Sequence, residues 1–332
     1  LAKILVCGGA GYIGSHMVRQ LVQNNYDVVV FDNLSQGNAD AVGDVPLVQG
    51  DLLNRDALDA VFAEHDFDAV YHFAALIAVG ESVAAPDIYY RNNVTGTLNL
   101  LDAMRVARVD KFVFSSTAAI FGNPQAELID EGHPKVPLNP YGRSKLMIEQ
   151  VLADYGHAFG IRSVFFRYFN AAGAHTSGEI GEAHDPETHL VPNVLLAAMG
   201  ERDGLEIFGD DYDTRDGTNI RDYIHIDDIA SAHLTALDYM EKNPGTHAFN
   251  LGNGNGFSNK EVINAAEKVI GKNHKIPYRI APRRAGDAAV LVADSRRARE
   301  ELGWSPQTPD IETIIETAWN WHRAPKFGPF AK

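Results

Sequence analysis

A chain of 332 residues, 45% of them apolar, is long enough for one large core or two smaller ones. Its 44 acidic residues outnumber 29 Lys and Arg, and the formal charge of −15 speaks against nucleic acid and acidic membrane surfaces as partners. The single cysteine, Cys7, excludes a disulfide framework, and no stretch reaches the roughly 18 consecutive apolar residues of a membrane span. The opening "LAKILVCGGAG" enters a strand-like run directly, with no visible signal peptide, so a cytoplasmic location is expected.

Short apolar runs alternate with helical patterns through the first half. "KILVCGG" (3–9), "DVVVFD" (27–32), "LVQGD" (47–51), "AVYHFAA" (69–75), "KFVFSS" (111–116) and "RSVFFRYFN" (162–170) read as strands, rich in β-branched or aromatic residues. Helical patterns lie between most of them, including 81–107 and 140–159. This alternation predicts an α/β fold, a Rossmann-type doubly wound parallel sheet with ligands at the carboxyl ends of its strands. Gly, Pro and Asp punctuate 171–222 and 243–258, and "GTHAFNLGNG" (245–254) reads as a strand returning to the sheet. The expected division is a dinucleotide-binding domain over 1–170, with later returns near 215–254, and a smaller C-terminal α/β substrate domain over 171–332. The tail "WNWHRAPKF" (319–327) reads as a helix packing its tryptophans, then a loose end.

"CGGAGYIGSH" spaces Gly8, Gly11 and Gly14 between a strand and a helical pattern. Gly8 permits a tight turn, Gly11 lets backbone approach a pyrophosphate, and Gly14 lets helix and strand pack closely. The helix N-terminus then offers free N–H groups and partial positive charge to the phosphates. Asp32 follows 18 residues after Gly14, at the end of the second strand. A carboxylate there binds both ribose hydroxyls and repels a 2′-phosphate, favouring NAD over NADP. Asp51, in "GDL" at the end of the next strand, suits an adenine amino group.

"NPYGRSKLMIEQ" puts Tyr141 and Lys145 four residues apart, on one face of a helix. A free phenol titrates near 10, too high for a base at neutral pH; a nearby ammonium and an oxidised nicotinamide both favour phenolate. "VFSSTAAIFG" (113–122) ends an apolar run in Ser115, Ser116 and Thr117, then Ala118 and Ala119. Thr117 is positioned to orient a reacting hydroxyl across the cleft.

Gly8, Gly11, Gly14, Asp32, Thr117 and Tyr141-x-x-x-Lys145 resemble the extended short-chain dehydrogenase/reductase family. "GGAGYIGSH", "VGESV", "YGRSKLMIEQ", "RYFNAAGAH", "RDYIHIDD" and "APRRAGD" narrow the resemblance to its UDP-sugar 4-epimerases, over nearly the whole chain. The resemblance implies a resident NAD and a reaction in which Tyr141 takes the sugar O4 proton while the C4 hydride goes to nicotinamide. The 4-keto sugar then turns over, and hydride returns to its other face, interconverting UDP-galactose and UDP-glucose. The nucleotide must be gripped while the sugar stays loose.

By the same resemblance, NAD is met by Tyr12, Ile13, Asn33, Ser35, Asp51, Leu52, Phe73, Ala74, Ala75, Asn92, Tyr141, Lys145 and Tyr168, beside the three glycines and Asp32. Asn170, His189, Leu190, Phe208, Arg221, Arg284 and Asp287 match the UDP-binding set, alongside Thr117 and Tyr141. Of the adjacent Arg283 and Arg284, only one is expected to face ligand; an arginine fork pairs well with phosphate oxygens. Leu291 matches the sugar-pocket gatekeeper; its intermediate size implies a preference for glucose and galactose over N-acetylhexosamines. Ile77 departs from the family, which often carries a cofactor-bonding lysine there. Ala118 and Ala119 stand where related dehydratases carry acids, and a methyl transfers no proton. The resemblance also implies a homodimer paired through 81–107 and 140–159.

Two readings compete. One is another nucleotide-sugar epimerase or reductase, acting on UDP-N-acetylhexosamine or UDP-uronate. The other is a non-enzymatic NAD-binding regulator, which would tolerate loss of Tyr141 or Lys145, yet both are present. "EAHDPETH" (182–189) holds His184, Asp185 and His189, but the spacing is no standard ligand pattern. It reads as a solvated acidic loop, and no metal is expected.

Overall fold

The computed structural model describes residues 1–271, 275–284 and 287–331; Ala285 and Gly286 of the "APRRAGD" segment lie outside the described residues. Its first half runs β1 (Lys3–Cys7), α1 (Tyr12–Gln23), β2 (Asp27–Asp32), β3 (Leu47–Gln49), α2 (Arg55–Glu64), β4 (Ala69–His72), α3 (Val79–Ala84), α4 (Pro86–Tyr89), α5 (Gly96–Ala107), β5 (Lys111–Thr117), α6 (Pro140–Phe159) and β6 (Arg162–Tyr168). The second half runs β7 (Asn170–Ala172), α7 (Leu190–Ala198), β8 (Leu205–Phe208), β9 (Ile220–His225), α8 (Ile226–Lys242), β10 (Thr246–Leu251), β11 (Gly256–Ser258), α9 (Asn259–Ile270), β12 (Tyr278–Ala281), β13 (Val290–Leu291), α10 (Arg296–Leu302) and α11 (Ile311–Arg323).

Seven strands form one sheet in the order β10-β6-β5-β4-β1-β2-β3. All its pairings are parallel, which gives the doubly wound order expected from the alternation of elements. Alternate residues feed opposite faces. Ile4, Val6, Val28, Val30 and Phe166 pack with α1 and α8 on one side, while Leu5, Cys7, Val29, Phe31 and Phe165 pack with α2, α5 and α6 on the other. The "GTHAFNLGNG" strand does return: β10 pairs along β6 at the sheet edge. The run 162–170 is not one strand. It breaks after Tyr168, and β7 joins β9 in a second sheet with β11 and β13. Helices α7, α9 and α11 share a separate core with Tyr223 and Ile207.

Helix α6 spans the expected 140–159. The Asn139 side chain accepts from the Gly142 N–H at 2.8 Å, Pro140 occupies the first turn, and Gly160 ends the helix at φ 75°. The single helix expected over 81–107 is instead broken. Pro86 removes an N–H and pushes Ala85 out of the helical region, to φ −135° and ψ 65°. A π-helical turn, Tyr90–Thr95, then precedes α5. The tail also differs from expectation: Phe327 is buried, its ring 4.8 Å from that of Trp321. No helix among the described residues is long and apolar enough to cross a membrane.

Phe166 is fully buried between the His233 ring, at 4.4 Å, and the Phe249 ring, at 6.1 Å. Phe166→Ala is expected to lower urea-unfolding stability by about 3–5 kcal/mol. Val136→Ala, at a position 62% exposed, stays within about 0.5 kcal/mol of the parent. Equal effects would contradict this placement of the core.

Candidate active site

The glycine loop joins β1 to α1 at the carboxyl edge of the sheet. Gly8 sits at φ 79°, and a Cβ there would lie 2.4 Å from the Ala74 nitrogen. A Cβ on Gly14 would lie 2.0 Å from the Gly8 oxygen, so helix and turn are in backbone contact. Gly11 is different: a Cβ there meets only the Gly8 oxygen, at an ordinary 3.5 Å. The chain itself does not need that space, which suits close approach by a ligand. Helix α1 has no capping side chain and no acid in its first turn, leaving its N–H groups available to an anion. These features fit a dinucleotide pyrophosphate.

Asp32 is nearly buried, and its carboxylate accepts from Ala10 N–H and Leu34 N–H, each at 2.9 Å. Those two bonds fix it beside the loop with further lone pairs to spare. The Asp51 carboxylate accepts from Asn33 Nδ2 at 2.9 Å and from Leu53 N–H at 2.8 Å. Ser35 is exposed, its N–H bonded to Asn33 Oδ1. Tyr12 turns its ring inward, and its hydroxyl donates to the Gly173 carbonyl at 2.7 Å. Its side chain is therefore occupied, and its backbone and that of Ile13 form the first, uncapped turn of α1. Leu52 is buried against the α2 side, whereas Phe73, Ala74 and Ala75 are half-buried after β4. Ile77 is exposed. Asn92 and Asn93 lie in the π-helical turn.

The strand end at 115–117 resolves into three separate attachments. The Ser115 carbonyl accepts from Lys145 Nζ at 2.7 Å, and the Tyr168 hydroxyl donates to Ser115 Oγ. Ser116 Oγ donates to Glu149 Oε1 at 2.6 Å. Thr117 Oγ1 caps the turn after β5 by accepting from the Ala119 N–H, and it is hydrogen-bonded to Tyr141. Burial pushes the Tyr141 phenol above its usual range, and the bond with Thr117 opposes this. Lys145 is 2% exposed, and burial lowers its ammonium to about 7, with Glu149 opposing. Its Nζ also lies 4.8 Å from the centre of the Phe114 ring. Ala118 packs into an apolar wall with Ile120, Phe121 and Ile129, and Leu291 from β13 packs against the same wall.

Across the cleft, Asn170 Nδ2 donates to the Asp222 carbonyl at 3.1 Å, joining β7 to β9. The Arg221 guanidinium pairs with Asp287 at 3.1 Å. Arg283 and Arg284 part company, as adjacent residues must: Arg283 pairs with Asp211, whereas Arg284 lies over the Phe208 ring at 3.7 Å. Arg284 has no carboxylate partner among the described residues. Leu190 begins α7, directly after His189.

Segment 182–189 is a loop solvated only in part, with Asp185, Pro186, Thr188 and His189 exposed. Glu182 and Glu187 side chains are only 3% and 5% exposed, and both face His184 and His189. Burial disfavours the ionised Glu182 carboxylate, but His189 and His184 hold that carboxyl below its usual range. Burial and Glu182 raise that of Glu187. Asp185 is outside this group.

Motif reading passed over three residues. Asn93 Oδ1 accepts from the Leu76 N–H at 2.9 Å while its Nδ2 donates to the Leu76 carbonyl and to Ser144, fastening the loop after β4 to α6. Glu149 and Arg167 form an ion pair at 2.7 Å, each 4% exposed. Glu149 was visible at one helical turn after Lys145, but its acceptor role needs the fold.

Comparison with known proteins agrees with this geometry. Residues 4–252 match the model of the NAD dependent epimerase/dehydratase family. A UDP-glucose 4-epimerase of Halalkalibacterium halodurans is 52% identical over 320 residues, covering 96% of this chain and 95% of that one. The UDP-glucose 4-epimerase of Brucella ovis in complex with NAD superposes with a TM-score of 0.93 at 47% identity, over 96% of this chain and 98% of the other. That of Bifidobacterium longum in complex with NAD+ and UDP does so with a TM-score of 0.92 at 42% identity, over 97% and 98%. The chain belongs to the NAD-dependent epimerase/dehydratase family and, within it, to the UDP-glucose 4-epimerases.

Proposed function

We propose that this cleft interconverts UDP-galactose and UDP-glucose by acid–base chemistry at the sugar O4, with Tyr141, Lys145 and Thr117 as the working set. The observation that carries the reading is the meeting of Thr117, Tyr141 and Lys145 at the carboxyl end of β5, on the same edge of the parallel sheet as the uncapped α1. When bound, NAD accepts a hydride from C4 and later returns it. Tyr141 takes the O4 proton and gives it back, with Thr117 holding the hydroxyl in line. Lys145, fixed by the Ser115 carbonyl, supplies positive charge toward the phenol and the nicotinamide ribose.

Gly8, Gly11, Gly14, Ile13 and the Tyr12 backbone would hold the pyrophosphate, Asp32 the adenosine ribose, and Asn33, Ser35, Asp51 and Leu52 the adenine end. Phe73, Ala74, Ala75, Asn92 and Tyr168 would line the path to the nicotinamide. On the substrate side, Phe208 and Leu190 would flank uracil, with Asn170 and His189 beside them. Arg284 and Arg221 would take the diphosphate and Asp287 the uridine ribose. Substrate would then replace the Arg221–Asp287 contact present in the free chain. Residues 1–170, with returns near 215–254, would serve NAD, and 171–332 the UDP-sugar. Ala118 and Leu291 give the sugar an apolar wall that offers no proton for elimination and few bonds to hinder rotation.

A cytoplasmic homodimer is part of the same reading. Cys7 is a buried free thiol. Helices α3 to α6 expose Val83, Ile88, Val106, Met147 and Phe159, apolar side chains that a partner copy would cover.

Purified chain given UDP-galactose without added NAD is expected to form UDP-glucose, followed by chromatography. Tyr141→Phe should lower kcat by about 100-fold or more, with UDP binding retained. No product even with NAD supplied, or an unimpaired Tyr141→Phe, would overturn the assignment. With NAD bound, the phenol pKa governing kcat should lie below 10, and Lys145→Met should move it upward and slow turnover. An unchanged pH profile would remove Lys145 from its role. UDP-N-acetylgalactosamine is expected to turn over less efficiently than UDP-galactose; equal kcat/KM would contradict the gatekeeping by Leu291. Sedimentation equilibrium should give the mass of two chains, and Met147→Asp should shift it toward one. A monomer at micromolar concentration would contradict the pairing.

A further inference from the structure

The loop before α7 gathers four side chains outside the Tyr141, Lys145 and Thr117 set; one of them, His189, also stands next to Leu190 at the proposed uracil site. Glu182, His184, Glu187 and His189 each offer one ligand atom, and these four atoms all lie within 4.8 Å of one another. Both histidines present Nδ1. His184 Nδ1 lies 3.0 Å from Glu182 Oε1 and 3.8 Å from Glu187 Oε2; His189 Nδ1 lies 2.5 Å and 3.6 Å from Glu182 Oε1 and Glu187 Oε1. Tetrahedral zinc with bonds of about 2.0–2.1 Å needs ligand atoms about 3.3 Å apart, longer than the present contacts to Glu182 and shorter than those to Glu187, so small side-chain shifts would be needed to seat the ion. The two carboxylates are buried, and among the described residues no Lys or Arg reaches either of them. Two buried carboxylates side by side call for positive charge, which the two imidazoles supply when protonated and a bound cation would supply in place of those protons.

We propose that Glu182, His184, Glu187 and His189 form a structural zinc site. Two imidazoles and two carboxylates suit zinc among the divalent metals. Four protein ligands leave no open position, so the ion holds structure and takes no part in the sugar chemistry. The surroundings already orient the ligands. Thr188 and His189 N–H groups donate to Glu187 Oε1 at 2.7 and 2.8 Å, and Trp321 Nε1 donates to the Glu182 carbonyl at 2.8 Å. The His184 ring meets Tyr12 edge-on at 6.2 Å, and His189 immediately precedes α7. A metal here ties the start of α1 to the start of α7, hence the dinucleotide loop to the helix that carries Leu190.

The test uses tag-free full-length chain, stripped with a chelator, then titrated with zinc sulfate and passed through a desalting column. Elemental analysis should find one zinc per chain, and zinc should raise the melting temperature by about 5 °C. Cobalt(II) in place of zinc should give the intense visible bands of a four-coordinate site. Glu182→Gln and His184→Ala should each lose the bound zinc and the thermal shift, while His157→Ala, at an exposed position on α6, keeps both. Circular dichroism of each stripped variant against stripped parent separates loss of the site from loss of the fold. If either variant is misfolded, the cobalt spectrum of the parent decides. No retained zinc in the parent, zinc retained equally by His184→Ala, or a six-coordinate cobalt spectrum would each overturn the site.

Discussion

The carboxyl end of β5 depends on one carboxylate with almost no access to water. Glu149 takes Ser116 Oγ and two arms of Arg167, and both charged side chains are 4% exposed. Ser116 and Arg167 are register partners on adjacent strands, so a single carboxylate on α6 clamps β5 and β6 together. One helical turn earlier, Lys145 reaches the carbonyl of the neighbouring Ser115. Removing either member of such a buried pair leaves the other uncompensated, at about 3–5 kcal/mol. The clamp therefore sets where the face of α6 carrying Tyr141 and Lys145 meets Thr117, and a one-residue slip of β6 would separate Arg167 from Ser116.

The two sides of the cleft are built differently. The dinucleotide side is rigid backbone: Gly8 and Gly14 have no room for a Cβ, and Asp32 is held by two N–H groups. The nucleotide-sugar side offers charges and rings, with Arg284 over Phe208 and Arg221 against Asp287. Between them, directly after Thr117, lies an apolar cluster of Ala118, Ile120, Phe121 and Leu291, in which Ile120 and Phe121 are fully buried. Strong attachment at the nucleotide and weak attachment at the hexose is the distribution of binding energy that inversion at one carbon requires.

Much of this was legible in the sequence because it is local. Helix α6 announces itself through Asn139, Pro140 and Gly160, and the parallel sheet through β-branched runs alternating with helices. What was hidden depends on distance in the chain. Asn93 reads as an ordinary polar helix residue until the π-helical turn aims it at Leu76 and Ser144. Glu149 and Arg167 are charged types that normally sit in water, and only the register of β5 and β6 buries them together. Composition made 182–189 look solvated, yet Trp321 from the far end of the chain folds over Glu182 and closes it in. The ring of the same Trp321 packs against Phe327 and keeps it from being a loose end.

The central claim is that one hydrogen leaves C4 and returns to the same carbon on the opposite face without leaving the site. UDP-galactose carrying deuterium at C4, incubated with the chain and no added NAD, tests this directly. UDP-glucose that retains the deuterium at C4 is the predicted result. Product that has exchanged its deuterium for solvent hydrogen would contradict it.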